Sequence, residues 1–160
     1  YPDPQLQEKW QAELGERNRP RVGLFVSNKS PQRRWSWEKW QQLALKLSDQ
    51  ADIVILYDPI APPSEQQLAS LHGRSLLTPS VDEFVAAASQ LDVVISADSA
   101  PVHISSALQI PVVALFESRP EKYRRWYPLT RHVLLHAGPQ VDDITVDAVE
   151  AAARSLLITD

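Results

Sequence analysis

The sequence predicts an α/β domain, a Rossmann-like doubly wound and mostly parallel sheet of about six strands. Three observations predict it. Apolar runs of strand length alternate regularly with helical patterns. Those runs are apolar throughout rather than every second residue, as in strands buried on both faces. One stretch, Asp92 to Phe116, reads as strand, sharp turn, helix, strand, which is a βαβ unit and hence parallel and right-handed.

The elements follow in order. Gln5 to Glu16 is polar apart from Leu6, Trp10 and Leu14, a thin apolar stripe on one helix face. Gly15 and the Asn18-Arg19-Pro20 breaker end it, so residues 1–20 read as a lead-in or interdomain helix and 21–160 as the domain proper. Arg21 to Ser27 is the first buried strand, followed by a loop, Asn28 to Arg34, with three positive charges. Ser36 caps a helix over Trp37 to Leu47 whose inner face carries Trp40, Leu43, Ala44 and Leu47. Asp52 to Tyr57 is the second strand; Asp58-Pro59 breaks it, and Ser64 caps a helix that runs to about Leu71. Gly73 ends that helix, and Ser75 to Leu77 is a short third strand. After the loop Thr78-Pro79-Ser80, Ser80 and Glu83 have capping-box spacing for a helix through Ala88. Asp92 to Ser96 is the next strand, and Asp98-Ser99-Ala100-Pro101 turns into a helical pattern through Leu108. Val112 to Phe116 and His132 to Leu135 are the last strands, and Thr145 caps the closing helix Val146 to Leu157.

Bulk composition limits the function classes. The length, 160 residues, is that of one domain with a good core, and 44% hydrophobic with 22% charged residues is ordinary for a globular chain. A net charge of −4 argues against a nucleic-acid partner. The absence of cysteine excludes disulfides and thiolate metal sites. No apolar run approaches the roughly 20 residues of a membrane span, so no transmembrane segment is expected. Tyr1-Pro2-Asp3-Pro4 does not read as a signal peptide, and a chain without methionine is expected to be a piece of a longer protein.

Three loops at strand carboxyl ends should face one crevice: Asn28 to Arg34, Asp98 to His103 and Glu117 to Arg125. Lys29, Arg33 and Arg34 would look across it at the helix start near Ser99 and Ala100. Cations on one side and helix N-terminal N–H groups on the other suit a pyrophosphate, although the arginines also read as solvated surface charges. His103 could donate to a phosphate or sugar oxygen, or cap and pack under its own loop. Asp98 could hold a ligand hydroxyl or close its own Asx turn. Asp58 and Glu65 stand near the end of the second strand, where an acid can meet a ribose, but Glu65 also reads as a first-turn acid. The histidines His72, His103, His132 and His136 lack metal-ligand spacing, and no glycine-rich dinucleotide fingerprint occurs, which weighs against a dehydrogenase.

Asp98-Ser99-Ala100-Pro101-Val102-His103, then Ala107-Leu108 and Pro111 to Phe116, resembles the D-[ST]-G-x-x-H…A-A-L…P-x-V-A-L-[FY] signature of glycosyltransferase family 9, the lipopolysaccharide heptosyltransferases. Arg33 to Trp40 resembles that family's K-x-W-P-x-E-x-[WF] segment, and Asp143 to Val149 its I-T-V-x-x-V closing helix. The resemblance implies the carboxyl-terminal, donor-binding half of a GT-B enzyme, with a separate N-terminal domain that holds the catalytic base and acceptor site. No catalytic residue would then lie in this chain. The implied partners are a nucleotide-diphosphate sugar such as ADP-heptose, taken as substrate with no cofactor and no metal, and a saccharide or lipid-linked acceptor. The implied place is the cytoplasm, or the periphery of the inner membrane face.

By position, the resemblance gives phosphate contacts to Lys29, Arg33, Ser99 and Ala100, and donor-sugar or loop roles to Asp98 and His103. It sets Glu65 near the ribose and Thr78 and Pro79 at the adenine edge. Two family glycines are replaced, by Ala100 and by Glu117. Alanine would be strained if position 100 needs positive φ, and Glu117 would put a negative charge beside an anion site. A degenerate domain that binds a protein or glycan through Glu117 to Trp126 is the alternative; another α/β nucleotide-binding module is a third.

Overall fold

The computed structural model describes residues 2–28, 30–97, 100–117 and 131–158. They form a six-stranded, all-parallel sheet in the order β3-β2-β1-β4-β5-β6. The strands are β1 (Arg21–Phe25), β2 (Asp52–Leu56), β3 (Arg74–Ser75), β4 (Val93–Ala97), β5 (Val112–Leu115) and β6 (His132–Leu135). The helices are α1 (Pro4–Leu14), α2 (Trp37–Leu47), α3 (Glu65–Ala69), α4 (Val81–Ala88), α5 (Ala100–Ala107) and α6 (Val146–Leu157), with 3-10 turns at Pro31–Arg33 and Val141–Asp143. This is the doubly wound α/β fold, with its strand order reversing between β1 and β4.

Alternate residues of one strand serve opposite layers, which is why the strands are apolar throughout. Ile53 and Ile55 of β2 join a core with Trp40, Leu43 and Leu47 of α2 and Val149, Ala153 and Leu156 of α6. Val54 and Leu56, alternating with them, face the other layer with Phe84 and Ala86 to Ala88 of α4. Burying each large side chain contributes roughly 1.5–3 kcal/mol, so both layers are needed.

Gly23 is small because its neighbour is close: a Cβ there would lie 2.5 Å from Leu91 Cδ1. The caps follow the sequence. Ser64 and Gln67 form a reciprocal capping box on α3, and the Ser80 and Thr145 side chains accept N–H groups on α4 and α6. Ser36 stands at the N-cap of α2 with no side-chain cap bond; its own N–H donates to Asp142 Oδ1 at 2.7 Å.

The thin stripe of α1 is used within this chain. Leu6, Trp10 and Leu14 pack into the α4 layer, with Trp10 buried. Trp10 Nε1 donates to Glu83 Oε2 at 2.5 Å, and Lys9 Nζ to Glu83 Oε1 at 2.7 Å. Among the described residues no helix is long and apolar enough to cross a membrane, and no group of acids and histidines is placed to hold a metal.

Candidate functional site

The carboxyl ends of β1 and β2 and the start of α5 enclose a crevice with two lobes at the topological switch point. The larger lobe, about 900 Å³, is lined by Asn28, Arg33, Arg34 and Trp37 on one side and Pro62, Pro63 and Gln67 on the other. The smaller, about 390 Å³, is mostly apolar, with Tyr57, Thr78, Pro79, Phe84 and Ile104 among its lining residues. Phe25, Asp58 and Pro101 border both. One lobe is cationic and the other greasy, and an acid stands where they meet.

The basic loop is held from beneath. Trp35 is buried, stacks edge-to-face on Trp40 with centroids 4.8 Å apart, and donates Nε1–H to the Ile144 carbonyl at 2.8 Å. Lys39 Nζ pairs with Asp142 Oδ1 at 3.4 Å. Asn28 Oδ1 accepts the Ser30 N–H at 2.9 Å, and Arg34 Nε donates to the Asn28 carbonyl at 2.7 Å. The 3-10 turn Pro31–Arg33 therefore sits on a rigid base made with the segment before α6. A side chain presented this way loses little freedom on meeting a ligand.

Arg33 turns inward as well as toward the crevice. Its Nε lies 3.6 Å from Glu117 Oε1. The Glu117 side chain is only 3% exposed, against 30% for Arg33. The charge that the sequence suggested would stand beside an anion site thus pairs with Arg33.

The remaining candidates divide. Thr78 is buried and Pro79 exposed, both in the apolar lobe. Glu65 is exposed in the first turn of α3 and lines neither lobe, whereas Asp58 lines both. Asp58 Oδ1 accepts the Ile60 N–H at 2.9 Å, which shapes its turn, and its own N–H donates to Ser27 Oγ at 3.0 Å. His103 is exposed in the first turns of α5 and outside the lining of both lobes. Ala100 opens α5 in helical backbone; among the described non-glycine residues only Gln109 has positive φ. The strain anticipated for alanine at position 100 is therefore absent, because a helical first turn accepts any L-residue. Lys29, Asp98 and Ser99, and the segment 118–130 with most of the proposed interaction surface, lie outside the described residues.

The profile of glycosyltransferase family 9 (heptosyltransferase) matches residues 3–150. The chain belongs to this family. No curated protein matches it. Among solved structures it is similar to the glycosyl transferase family 9 protein of Veillonella parvula, with TM-score 0.81 and 15% identity over 98% of this chain and 52% of the other. It is also similar to ADP-heptose lps heptosyltransferase II of E. coli, with TM-score 0.74 and 21% identity over 98% and 52%. E. coli heptosyltransferase WaaC with ADP-2-deoxy-2-fluoro heptose aligns at TM-score 0.73 and 17% identity over 93% and 47%. At such identities the likeness shows the shared fold. The chain spans about half the length of these structures.

For a family 9 domain the crevice has consistent chemistry. A guanidinium and helix N–H groups can hold an oxyanion, an acid can hold hydroxyls, and an apolar slot can hold a ring. Sequence reasoning missed the Arg33–Glu117 pairing and the structural weight of Trp35. Opposite charges just past the ends of β1 and β5, two strands flanking β4, were the available signal for the first. A Trp between two arginines and a helix cap was the signal for the second, since a loop tryptophan usually buries itself.

Proposed function

We propose that this domain binds the donor of a family 9 glycosyl transfer, a nucleotide-diphosphate sugar of the ADP-heptose kind, for lipopolysaccharide or related surface-glycan assembly. The carrying observation is the two-lobed crevice, with Arg33 and Arg34 in one lobe, Thr78 and Pro79 in the other and Asp58 between. One lobe offers cations for a diphosphate, the other an apolar slot for a base, and an acid stands between them for a ribose. Two E. coli proteins it resembles favour this donor class, one named as an ADP-heptose lps heptosyltransferase and the other, WaaC, solved with ADP-2-deoxy-2-fluoro heptose.

In the transfer, the bond from the sugar's anomeric carbon to the diphosphate oxygen breaks, and an acceptor hydroxyl forms the new one. The diphosphate leaves with the electron pair. Cations and helix N–H groups already in place stabilise that developing charge. The base that takes the acceptor's proton, and the saccharide or lipid-linked acceptor itself, belong in this reading to an N-terminal domain of the same protein. Lys29, Asp98 and Ser99 complete the phosphate and sugar contacts in it, while His103, exposed outside both lobes, would reach only the sugar beyond the crevice.

Calorimetric titration with ADP, UDP and GDP tests the reading. Saturable ADP binding that weakens in Arg34→Ala and Asp58→Ala is expected. Preference for UDP or GDP would retain the transferase reading and change the donor, and no saturable binding of any nucleotide overturns it for this domain.

The Arg33–Glu117 pair supports a second reading, a non-catalytic family member whose crevice charge is spent internally and whose surface binds a protein or glycan. Unaltered, absent nucleotide binding in Glu117→Gln would favour it.

A further inference from the structure

We propose that a cleft at the opposite end of the sheet is a second binding site, for a small oxyanion of the phosphate class. The first residues of β1, β2 and β3 (Arg21, Asp52 and Arg74) line it together with Arg19, His72 and Gly73, around a space of about 300 Å³. That space is at the small end of ligand pockets and suits one phosphate with its waters rather than a nucleotide.

The cleft gathers one more cation than acid, and the extra cation is buried. Arg17, Arg19, Arg21 and Arg74 gather there, facing Glu13, Asp52 and Asp92. Three pairs form: Arg17 with Asp92 Oδ1 at 2.5 Å, Arg74 with Glu13 Oε1 at 2.8 Å, and Arg19 with Asp52 Oδ1 at 3.8 Å. Arg19 also donates to the carbonyls of Ser48 and Ala51. Arg21 is the cation left over, and it is the buried one, 4% exposed.

Among the described residues its guanidinium makes one hydrogen bond, from Nη2 to the Gly15 carbonyl at 2.8 Å. The nearby Asp92 spends its other oxygen on the Arg21 backbone N–H, at 2.8 Å. Burial lowers the Arg21 pKa, and repulsion from Arg17 lowers it further, against opposing attraction from Asp92 and Asp52. A guanidinium has five donors and keeps its proton at ordinary pH; one of those of Arg21 is bonded to Gly15, and no Arg21 nitrogen is fully enclosed without a partner, so the others open on the cleft. An oxyanion in the cleft would take up its remaining donors in the forked geometry that arginine favours.

This site lies a full strand length from the donor crevice and stands or falls separately from it. The test titrates the 160-residue chain with inorganic phosphate, following backbone amide shifts and melting temperature, with sodium chloride at matched ionic strength as control. Expected are saturable shifts at Gly15, Arg21, Gly73 and Arg74 that persist in Arg33→Ala. They should weaken about tenfold or more in Arg21→Met. Arg19→Gln, which leaves the buried guanidinium in place, should weaken them also, and it serves if Arg21→Met does not fold. Phosphate should raise the melting temperature of the natural chain by mass action, and that of Arg21→Met far less. Shifts confined to Asn28 and Trp35 and abolished by Arg33→Ala, an equal response to chloride, or no saturation would overturn the proposal.

Discussion

Arg33 Nε stands 3.6 Å from Glu117 Oε1, joining the loop after β1 to the end of β5 across the mouth of β4. This pair sets two opposing roles for one arginine, structural and ligand-binding, and they can be separated. Arg33→Ala takes the cation from a carboxylate side chain that is 3% exposed. Removing one member of a fully buried pair costs about 3–5 kcal/mol, and the half-open arginine reduces that to about 2. Denaturant unfolding should show the loss, and the double variant Arg33→Ala/Glu117→Gln should recover most of it.

The same contact makes a prediction about affinity. Glu117 offsets part of the positive potential offered to a diphosphate, so Glu117→Gln should tighten ADP about 3- to 10-fold, the worth of roughly one charged neighbour in a partly solvated site. Weaker binding in Glu117→Gln would mean instead that the carboxylate's main work is to orient the guanidinium.

Asp58, not Glu65, borders both lobes, so the two acids should differ in a ribose-dependent measurement. Asp58→Asn should weaken ADP about tenfold and erase any preference for ADP over 2′-deoxy-ADP, since a hydrogen bond to a charged group is worth about 1.5–3 kcal/mol. Glu65→Gln, on the exposed face of α3, should bind as the natural chain does. The reverse order would move the ribose away from Asp58.

Glu83 ties α1 to α4, and its tie is pH-dependent. The hydrogen bond from Lys9 lowers its pKa most, desolvation opposes, and the Trp10 bond lowers it again. A carboxyl whose folded pKa is depressed stabilises the fold fully above its unfolded value, near 4.3, and the contribution fades as pH falls through the folded value. Glu83→Gln should therefore melt below the natural chain at about pH 7, with the gap closing toward about pH 3. Amide exchange in α1 should quicken in the same variant. A gap independent of pH would show that the contacts, not the charge, hold α1.

The fold was legible because the strands other than β3 are runs of mainly apolar residues and three helices open on a capping Ser64, Ser80 or Thr145. Val54 beside Ile53 and Ile55 already states that both faces of β2 are covered. The basic loop at the crevice was legible in part, from the cations of the β1–α2 connection. What could not be read was distance across the sheet. Glu117 and Arg33 are far apart in sequence, and only the strand order brings the ends of β1 and β5 near each other. The resemblance set Glu65 near the ribose and left Asp58 without a role: both follow β2, but the turn at Asp58–Ile60 keeps Asp58 at the crevice while α3 carries Glu65 to solvent. The inward packing of α1 was hidden too, because a stripe of three residues does not name its partner.

Trp35 supplies a last prediction, since it couples the stability of the core to the placing of the basic loop. Its ring is buried against Trp40, and its Nε1–H reaches the Ile144 carbonyl at 2.8 Å. Trp35→Phe keeps an aromatic ring in the core but deletes the donor, leaving a buried carbonyl without that bond. The expected loss is about 1–3 kcal/mol of unfolding free energy. Because Arg33 and Arg34 directly precede this anchor, ADP affinity should fall as well, although neither arginine is changed. If stability falls and affinity does not, the 3-10 turn at Pro31–Arg33 is held mainly by Asn28 and by the Ser36–Asp142 bond, and Asp142→Ala should then show the affinity loss in place of Trp35→Phe.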